Sequence, residues 1–333
     1  MIDTMDTARP GLVSIVLPTY KRAHLLAGSI RSVLAQTYTN WELIVVDDNS
    51  PDDTPAVVAA FTDPRIRYVR NDPNLKLPRA LNRGFALARG EFLTWHSDDN
   101  YYVEQSIEKM VERLQRGDGD LVYADYWLFV EEDALGRPRD PEHTRLPAAV
   151  QLEKGNHIGA CFLYTRRAFE AVGEYDPELF LVEDYDYFMR IARQFKLVHI
   201  AEPMYYFRRD DDTLYLSRFA EIKAADLLVR FKNALLDDDG MLDSLVALLM
   251  RHTDDLKSPL LRWSRQAARA SGSWRLDQWQ LRLMQSSLKR KLRSPLRAIL
   301  QTYRSGDNSF GAASDELRRL IAEVGALKYA PSP

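Results

Sequence analysis

The chain has 333 residues, with 45 Lys+Arg against 48 Asp+Glu, 46% hydrophobic residues and a single cysteine, Cys161. This is the composition of a globular protein long enough for one large α/β domain and a second unit, and it excludes wholesale disorder. One cysteine leaves no intrachain disulfide, cysteine zinc site or iron–sulfur cluster, and apolar runs such as Leu245–Met250 fall far short of the roughly 20 residues of a membrane-spanning helix.

Met1–Gly11 lacks a basic and an apolar region, so it reads as a tail (1–11) rather than a secretion signal. From there β-rich runs alternate with helical patterns at βαβ spacing. The expected strands are Val13–Leu17, Glu42–Val46, Ile66–Arg70, Phe92–Trp95 and Leu121–Val130. The helices between them are expected at Leu25–Ala35, Thr54–Phe61, Arg79–Ala88 and Val103–Leu114. Runs such as Ser14–Leu17 and Leu43–Val46 lack polar alternation, as strands covered on both faces do, so a mostly parallel, Rossmann-like sheet flanked by helices is expected. Glu131–Pro147, rich in charge and proline, reads as a long surface loop. From about Ser217 helical periodicity dominates to Gly325, with breaks expected near Asp237–Gly240, Ser258–Pro259, Ser271–Ser273, Ser294–Pro295 and Gly306. An α/β domain over 12–215 and a helical C-terminal domain over 216–333 follow.

In open sheets of this kind ligands bind beyond the carboxyl ends of the strands. Three polar clusters fall there: Pro18–Arg22, Asp47–Ser50 and His96–Asn100. Asp98 and Asp99 are hard oxygen donors suited to Mg²⁺ or Mn²⁺ against a diphosphate, although adjacent aspartates also serve as helix caps. Glu183–Phe188 interleaves acids with aromatics and runs into an expected helix at Tyr187–Gln194; the acids fit either a helix-dipole turn or a general base. No Walker-type or GxGxxG phosphate loop, no HExxH and no GxSxG pattern occurs, so any bound phosphate needs a metal and cations such as Arg22, Arg79 and Arg208.

The blocks Ser14–Tyr20, Ser32–Tyr38 and Trp41–Ser50 resemble, in order and spacing, the opening of the family 2 glycosyltransferases, which have the GT-A fold. The resemblance continues through Asn82, Ala88–Phe92, Ser97–Asp99, Arg166–Arg167, Gly173–Asp176, Glu183–Asp184 and Tyr206–Arg208, about three fifths of the chain. It implies inverting transfer from a nucleotide-sugar donor. Pro18, Tyr20 and Asp48 match residues that hold base and ribose, and Arg22 and Arg79 match residues that help bind the nucleotide and its phosphates. Asp98 and Asp99 match the acids that bind ribose and metal, with Mn²⁺ or Mg²⁺ as cofactor. Asp184 matches the general base. Many members carry a further acid where this chain has His96; the spore-coat enzyme SpsA likewise keeps only the adjacent pair. Without a QxxRW motif or a membrane span, the resemblance implies a non-processive enzyme. Its UDP-linked or related donor would serve a glycan or lipid-linked acceptor in surface polysaccharide biosynthesis. The alternative is an inactive sugar-nucleotide-binding or assembly module.

Near-neutrality conceals a division of charge. Residues 1–256 carry a net −13 and residues 257–304 a net +11. This basic arm, with Trp263, Trp274 and Trp279, fits apolar stripes packed within the protein, an anionic membrane surface, or a homo-oligomer or partner interface. No recognised nucleic-acid module accompanies it. A cytoplasmic enzyme, peripheral on the inner face of the cell membrane, is the expectation.

Overall fold

The computed structural model describes residues 8–134, 136–210, 213–256 and 274–327. The expected breaks at Ser258–Pro259 and Ser271–Ser273, Trp263 and the first third of the basic arm lie outside them. The chain divides into two compact units, Met1–Thr213 and Leu214–Pro333.

The first unit is built on β1 (Arg9–Thr19), α1 (Ala23–Leu34), β2 (Trp41–Asp47), α2 (Thr54–Ala59), β3 (Ile66–Arg70), α3 (Leu77–Ala86) and β4 (Gly90–Trp95). There follow β5 (Tyr101–Tyr102), α4 (Ser106–Gln115), β6 (Leu121–Phe129), β7 (Glu142–Thr144), β8 (Phe162–Thr165), α5 (Arg166–Val172), α6 (Glu183–Ala192) and β9 (Leu197–Arg208). The sheet order is β3-β2-β1-β4-β8-β6-β9-β5, with β7 on the edge of β6. Strands β1 to β4 are mutually parallel where they pair, as are β6 and β9, whereas β8 runs antiparallel to both β4 and β6. Strands β1, β2, β4, β6 and β9 therefore end on one edge. The order reverses at β1, which places a crevice between β1 and β4 at that edge.

Every residue of β2 is buried, and so are the last eight of β1, which is why both read as continuous apolar runs. Helix α3 can lie close on β1 because Gly84 has no side chain: a Cβ there would sit 2.3 Å from Val16 Cγ1. Thr165 caps α5 by accepting from the Ala168 amide at 3.2 Å.

Three local expectations are corrected. Residues 131–147 are not a plain loop: Glu132 bridges Pro138 and β7 pairs with β6, so the charged segment is folded back on itself by backbone pairing. Helix α6 begins at Glu183, four residues before the expected start, which brings the acids into its first turn. Strands β8 and β9 are not among the expected strands; β9 mixes buried and exposed positions without clean alternation.

The second unit contains α7 (Leu214–Ser217), α8 (Phe219–Lys232), α9 (Asp238–His252), β10 (Thr253–Leu256), α10 (Trp274–Ser305), α11 (Phe310–Val324) and β11 (Gly325–Leu327), with β10 and β11 paired antiparallel. The break expected at Ser294–Pro295 does not occur: α10 runs through Pro295. Leu288, Leu292, Leu296, Ile299 and Leu300 form a buried stripe at helical spacing, and packing against α9 and α11 offsets the hydrogen bond that proline removes. Gly306, at φ +81°, ends the helix as expected. Lys289 pairs with Asp243 at 2.5 Å, Arg293 with Asp239 at 3.5 Å and Arg304 with Asp238 at 2.6 Å, so part of the arm's charge is met by the acidic start of α9.

Candidate active site

The acid pair sits on a loop braced from beneath. His96 is fully buried just after β4, with Nε2 2.9 Å from Ser29 Oγ and Nδ1 2.7 Å from the Tyr205 hydroxyl, and its ring stacks on Tyr102 at 4.4 Å. Burial pushes its pKa down to about 3, so the ring is neutral. Both nitrogens are engaged in the interior, and His96 therefore supports the loop instead of coordinating a metal. Ser29 Oγ also lies 2.5 Å from the Ser97 carbonyl and 2.8 Å from that of Asn100, closing the loop around the two aspartates.

Asp98 accepts from Thr19 Oγ1 at 2.7 Å, and Asp99 pairs with Arg22 at 3.2 Å. Burial, and then the neighbouring Asp99, raise the Asp98 pKa to about 7; burial also raises that of Asp99, against the pull of Arg22 and Arg208. Burial outweighs the pull of these cations on both carboxyls. Among the described residues no cluster of three or more His, Cys, Asp or Glu side chains could hold a metal ion. Two adjacent hard carboxylates nevertheless fit an ion of the Mg²⁺ type, which is commonly held by one or two carboxylates with substrate phosphates completing its shell.

The remaining sequence-derived candidates divide. Pro18 is buried near the end of β1, and Tyr20, 42% exposed, follows that strand with the Lys21 ammonium 5.0 Å from its ring centroid. Asp48 faces inward: its carboxylate accepts from Asn71 Nδ2 at 2.8 Å and from the amides of Leu75 and Lys76 at 2.8 and 2.9 Å. It braces the loop leading into α3, whose first turn carries the exposed Arg79. Arg208 ends β9 on the same edge, buried against the face of Phe129 at 4.9 Å, with its Nε donating to the Asp99 carbonyl at 3.3 Å.

Asp184 occupies the first turn of α6, where the helix N-terminus favours an anion. Its Oδ2 accepts from Asn156 Nδ2 at 3.0 Å and its Oδ1 from the Tyr185 amide at 2.7 Å. Glu183 differs: burial, reinforced by Asp184, pushes its carboxyl up to about 8, and Oε2 has no hydrogen-bond partner among the described residues. At neutral pH Glu183 holds its proton beside an acid in a more exposed setting. Leu181, at φ +84°, introduces this turn with strained backbone.

Sequence reasoning passed over Ser29, Asn156 and Tyr205. Their partners lie 67, 28 and 109 residues away respectively, so no local pattern marked them.

An open α/β sheet with an acid pair and arginines at its switch-point edge defines a GT-A-like fold with a candidate site for a phosphorylated ligand. The model of Glycosyl transferase family 2 matches residues 14–173. The chain is 32% identical over 126 residues to the UDP-Glc:alpha-D-GlcNAc-diphosphoundecaprenol beta-1,3-glucosyltransferase WfgD of Escherichia coli, covering 38% of this chain and 50% of that protein. It is also 32% identical over 190 residues to the putative colanic acid biosynthesis glycosyl transferase WcaA of Escherichia coli K12, covering 55% of this chain and 67% of that one. Among solved structures, the mannosyltransferase PcManGT of Pyrobaculum calidifontis, in complex with GDP-Man and Mn²⁺, aligns over 95% of this chain and 87% of its own. That alignment has a TM-score of 0.51 at 16% identity, a likeness of fold alone. The chain belongs to glycosyl transferase family 2. It spans half the length of the WfgD relative. No described helix is long and apolar enough to cross a membrane.

Proposed function

We propose that the chain is a metal-dependent, inverting, non-processive glycosyltransferase. It moves a sugar from a nucleotide-diphosphate donor, UDP-linked, to a hydroxyl of a glycan or lipid-linked acceptor in surface polysaccharide biosynthesis. The observation that carries this reading is the part-buried, adjacent Asp98–Asp99 pair, whose carboxyls are both raised despite the pull of Arg22 on each and of Arg208 on Asp99, at the switch-point edge of a mostly parallel sheet. The names of the WfgD and WcaA relatives support the donor class and the polysaccharide setting.

In this reading Pro18 and Tyr20 receive the base and ribose, Tyr20 by stacking, and Asp48 shapes the adjoining loop. Arg22, Arg79 and Arg208 supply positive charge toward the diphosphate. Asp98 and Asp99 hold Mn²⁺ or Mg²⁺, which when bound supplies Lewis-acid stabilisation of the leaving group. Asp184 takes the proton of the acceptor hydroxyl as that oxygen bonds to the anomeric carbon. The bond from that carbon to the diphosphate oxygen breaks, its electron pair leaves with the nucleoside diphosphate, and the single displacement inverts the centre. Neutral Glu183 adds no second negative charge beside Asp184, and Asn156 orients the base carboxylate.

Release of UDP from UDP-glucose and UDP-GlcNAc, with Mn²⁺ or with EDTA, tests the reading. Turnover that needs the metal, and that Asp184→Asn abolishes while UDP still binds, is the expected result. An Asp184→Asn enzyme that transfers at the wild-type rate removes Asp184 as base, and UDP binding without any release favours the inactive module. A lipid-linked acceptor would bring the enzyme to an anionic membrane surface, met through exposed Arg290, Lys291 and Arg297 of α10.

A further inference from the structure

Arg208 is among the most heavily engaged cations on the site edge. Nη2 lies 2.5 Å from Glu132 Oε1 and donates to the Tyr101 hydroxyl at 3.1 Å; Nη1 lies 3.4 Å from Asp210 Oδ2, and Nε reaches the Asp99 carbonyl at 3.3 Å. The Tyr101 hydroxyl in turn donates to the same Glu132 Oε1. Two donors, one cationic and one phenolic, thus converge on a single carboxylate oxygen. Glu132 comes from the charged segment after β6, where its bridge to Pro138 and the Arg139 amide donating to the Glu131 carbonyl at 2.8 Å hold the backbone. The side chain, 24% exposed, is the part able to turn away, while Arg208 is 7% exposed and fixed by the ring of Phe129.

We infer that Glu132 is an internal stand-in for a donor phosphate: it holds Arg208 in place at the end of β9, and the diphosphate displaces it. When the carboxylate swings out, Arg208 Nη2 and the Tyr101 hydroxyl are left aimed at the position its oxygen held, and a phosphate oxygen accepts from the same two donors. Glu132 is thus a positioning residue whose charge competes with the ligand. The inference rests on the donor-site reading above and adds to it a residue that none of the blocks carrying the family resemblance contains.

Calorimetric titration of the full chain with UDP, dTDP and GDP in Mn²⁺, each beside its uncharged nucleoside, tests it. Glu132→Gln keeps the shape and an acceptor oxygen but removes the charge. It is expected to bind the diphosphate roughly tenfold more tightly, the size of one charge-assisted hydrogen bond, with nucleoside affinity unchanged. Glu131→Gln, altered at the neighbouring exposed acid, is expected to match wild type. Adding Tyr101→Phe to Glu132→Gln removes one of the two donors and should reverse most of the gain. Equal or weaker diphosphate binding by Glu132→Gln, or an equal gain for the nucleoside, overturns the inference while leaving the donor site standing. If neither wild type nor Glu132→Gln binds any of the three diphosphates, the donor-site reading falls and takes this inference with it. Glu132→Ala provides a second charge removal should the glutamine variant not fold.

Discussion

Ser29→Ala removes one hydroxyl from beneath the acid-bearing loop. In the folded chain that oxygen lies 2.9 Å from His96 Nε2, 2.5 Å from the Ser97 carbonyl and 2.8 Å from the Asn100 carbonyl. Because a hydroxyl has one proton and two carbonyls adjoin it, that proton goes to a carbonyl, His96 donates from Nε2, and Tyr205 donates to Nδ1. Alanine leaves a fully buried Nε2–H and a nearby carbonyl without this partner. Stranding a buried polar group costs about 1–3 kcal/mol, so a loss of roughly 2–4 kcal/mol is expected once partial relaxation is allowed for. For a unit the size of Met1–Thr213 that is a fall in Tm of roughly 4–16 °C, at about 2–4 °C per kcal/mol. Thermal and urea unfolding of both proteins measure it. In a double-mutant cycle, Tyr205→Phe should add less than its own effect, since both substitutions act through His96. A Tm within about 2 °C of wild type, or strict additivity with Tyr205→Phe, would refute the claim that His96 is the hub of this support.

Glu183 gives a pH signature. Its folded pKa of about 8 stands well above the roughly 4.3 of an unfolded glutamate, so the folded state binds the extra proton between those values. The stability it contributes is present below the unfolded value and is lost as pH rises through the folded one. Glu183→Gln should therefore become progressively more stable relative to wild type from pH 5 to pH 8; a difference in Tm that does not change with pH would count against the assignment. At the other end of the chain, Arg290→Glu with Arg297→Glu should weaken co-sedimentation with vesicles containing phosphatidylserine by roughly thirtyfold or more, at about 1 kcal/mol for each basic residue lost from the surface. Undiminished sedimentation would exclude this face of α10 from membrane contact.

The parallel core was legible because burial on both faces imposes continuous apolar runs, as in Leu43–Val46, and the polar residues after each run marked the site edge. The acid pair follows an expected strand and Asp184 precedes an expected helix, so local pattern singled out both as candidates. Strand β9 was missed because its pairing with β6 depends on residues about 75 positions away, through a register that shifts near Asp125, and its own sequence alternates poorly. The same dependence on distant partners hid Ser29, Asn156 and Glu132. Pro295 misled for the opposite reason. A local rule argued for a break, and the buried leucines on either side of it prevailed. Asp48 was expected beside base and ribose, and its carboxylate is directed to the 71–76 loop by donors that only the fold brings together.

Cys161, fully buried just before β8, has its thiol pushed far above the ordinary range by burial. Since it is the chain's only sulfhydryl, maleimide chemistry finds an unreactive background. A fluorophore can then be attached at one chosen position, and Val130, 56% exposed and two residues before Glu132, is well placed for it. Emission from a dye on Val130→Cys would follow the exchange of carboxylate for phosphate at Arg208 in real time, without any need to know which sugar is carried.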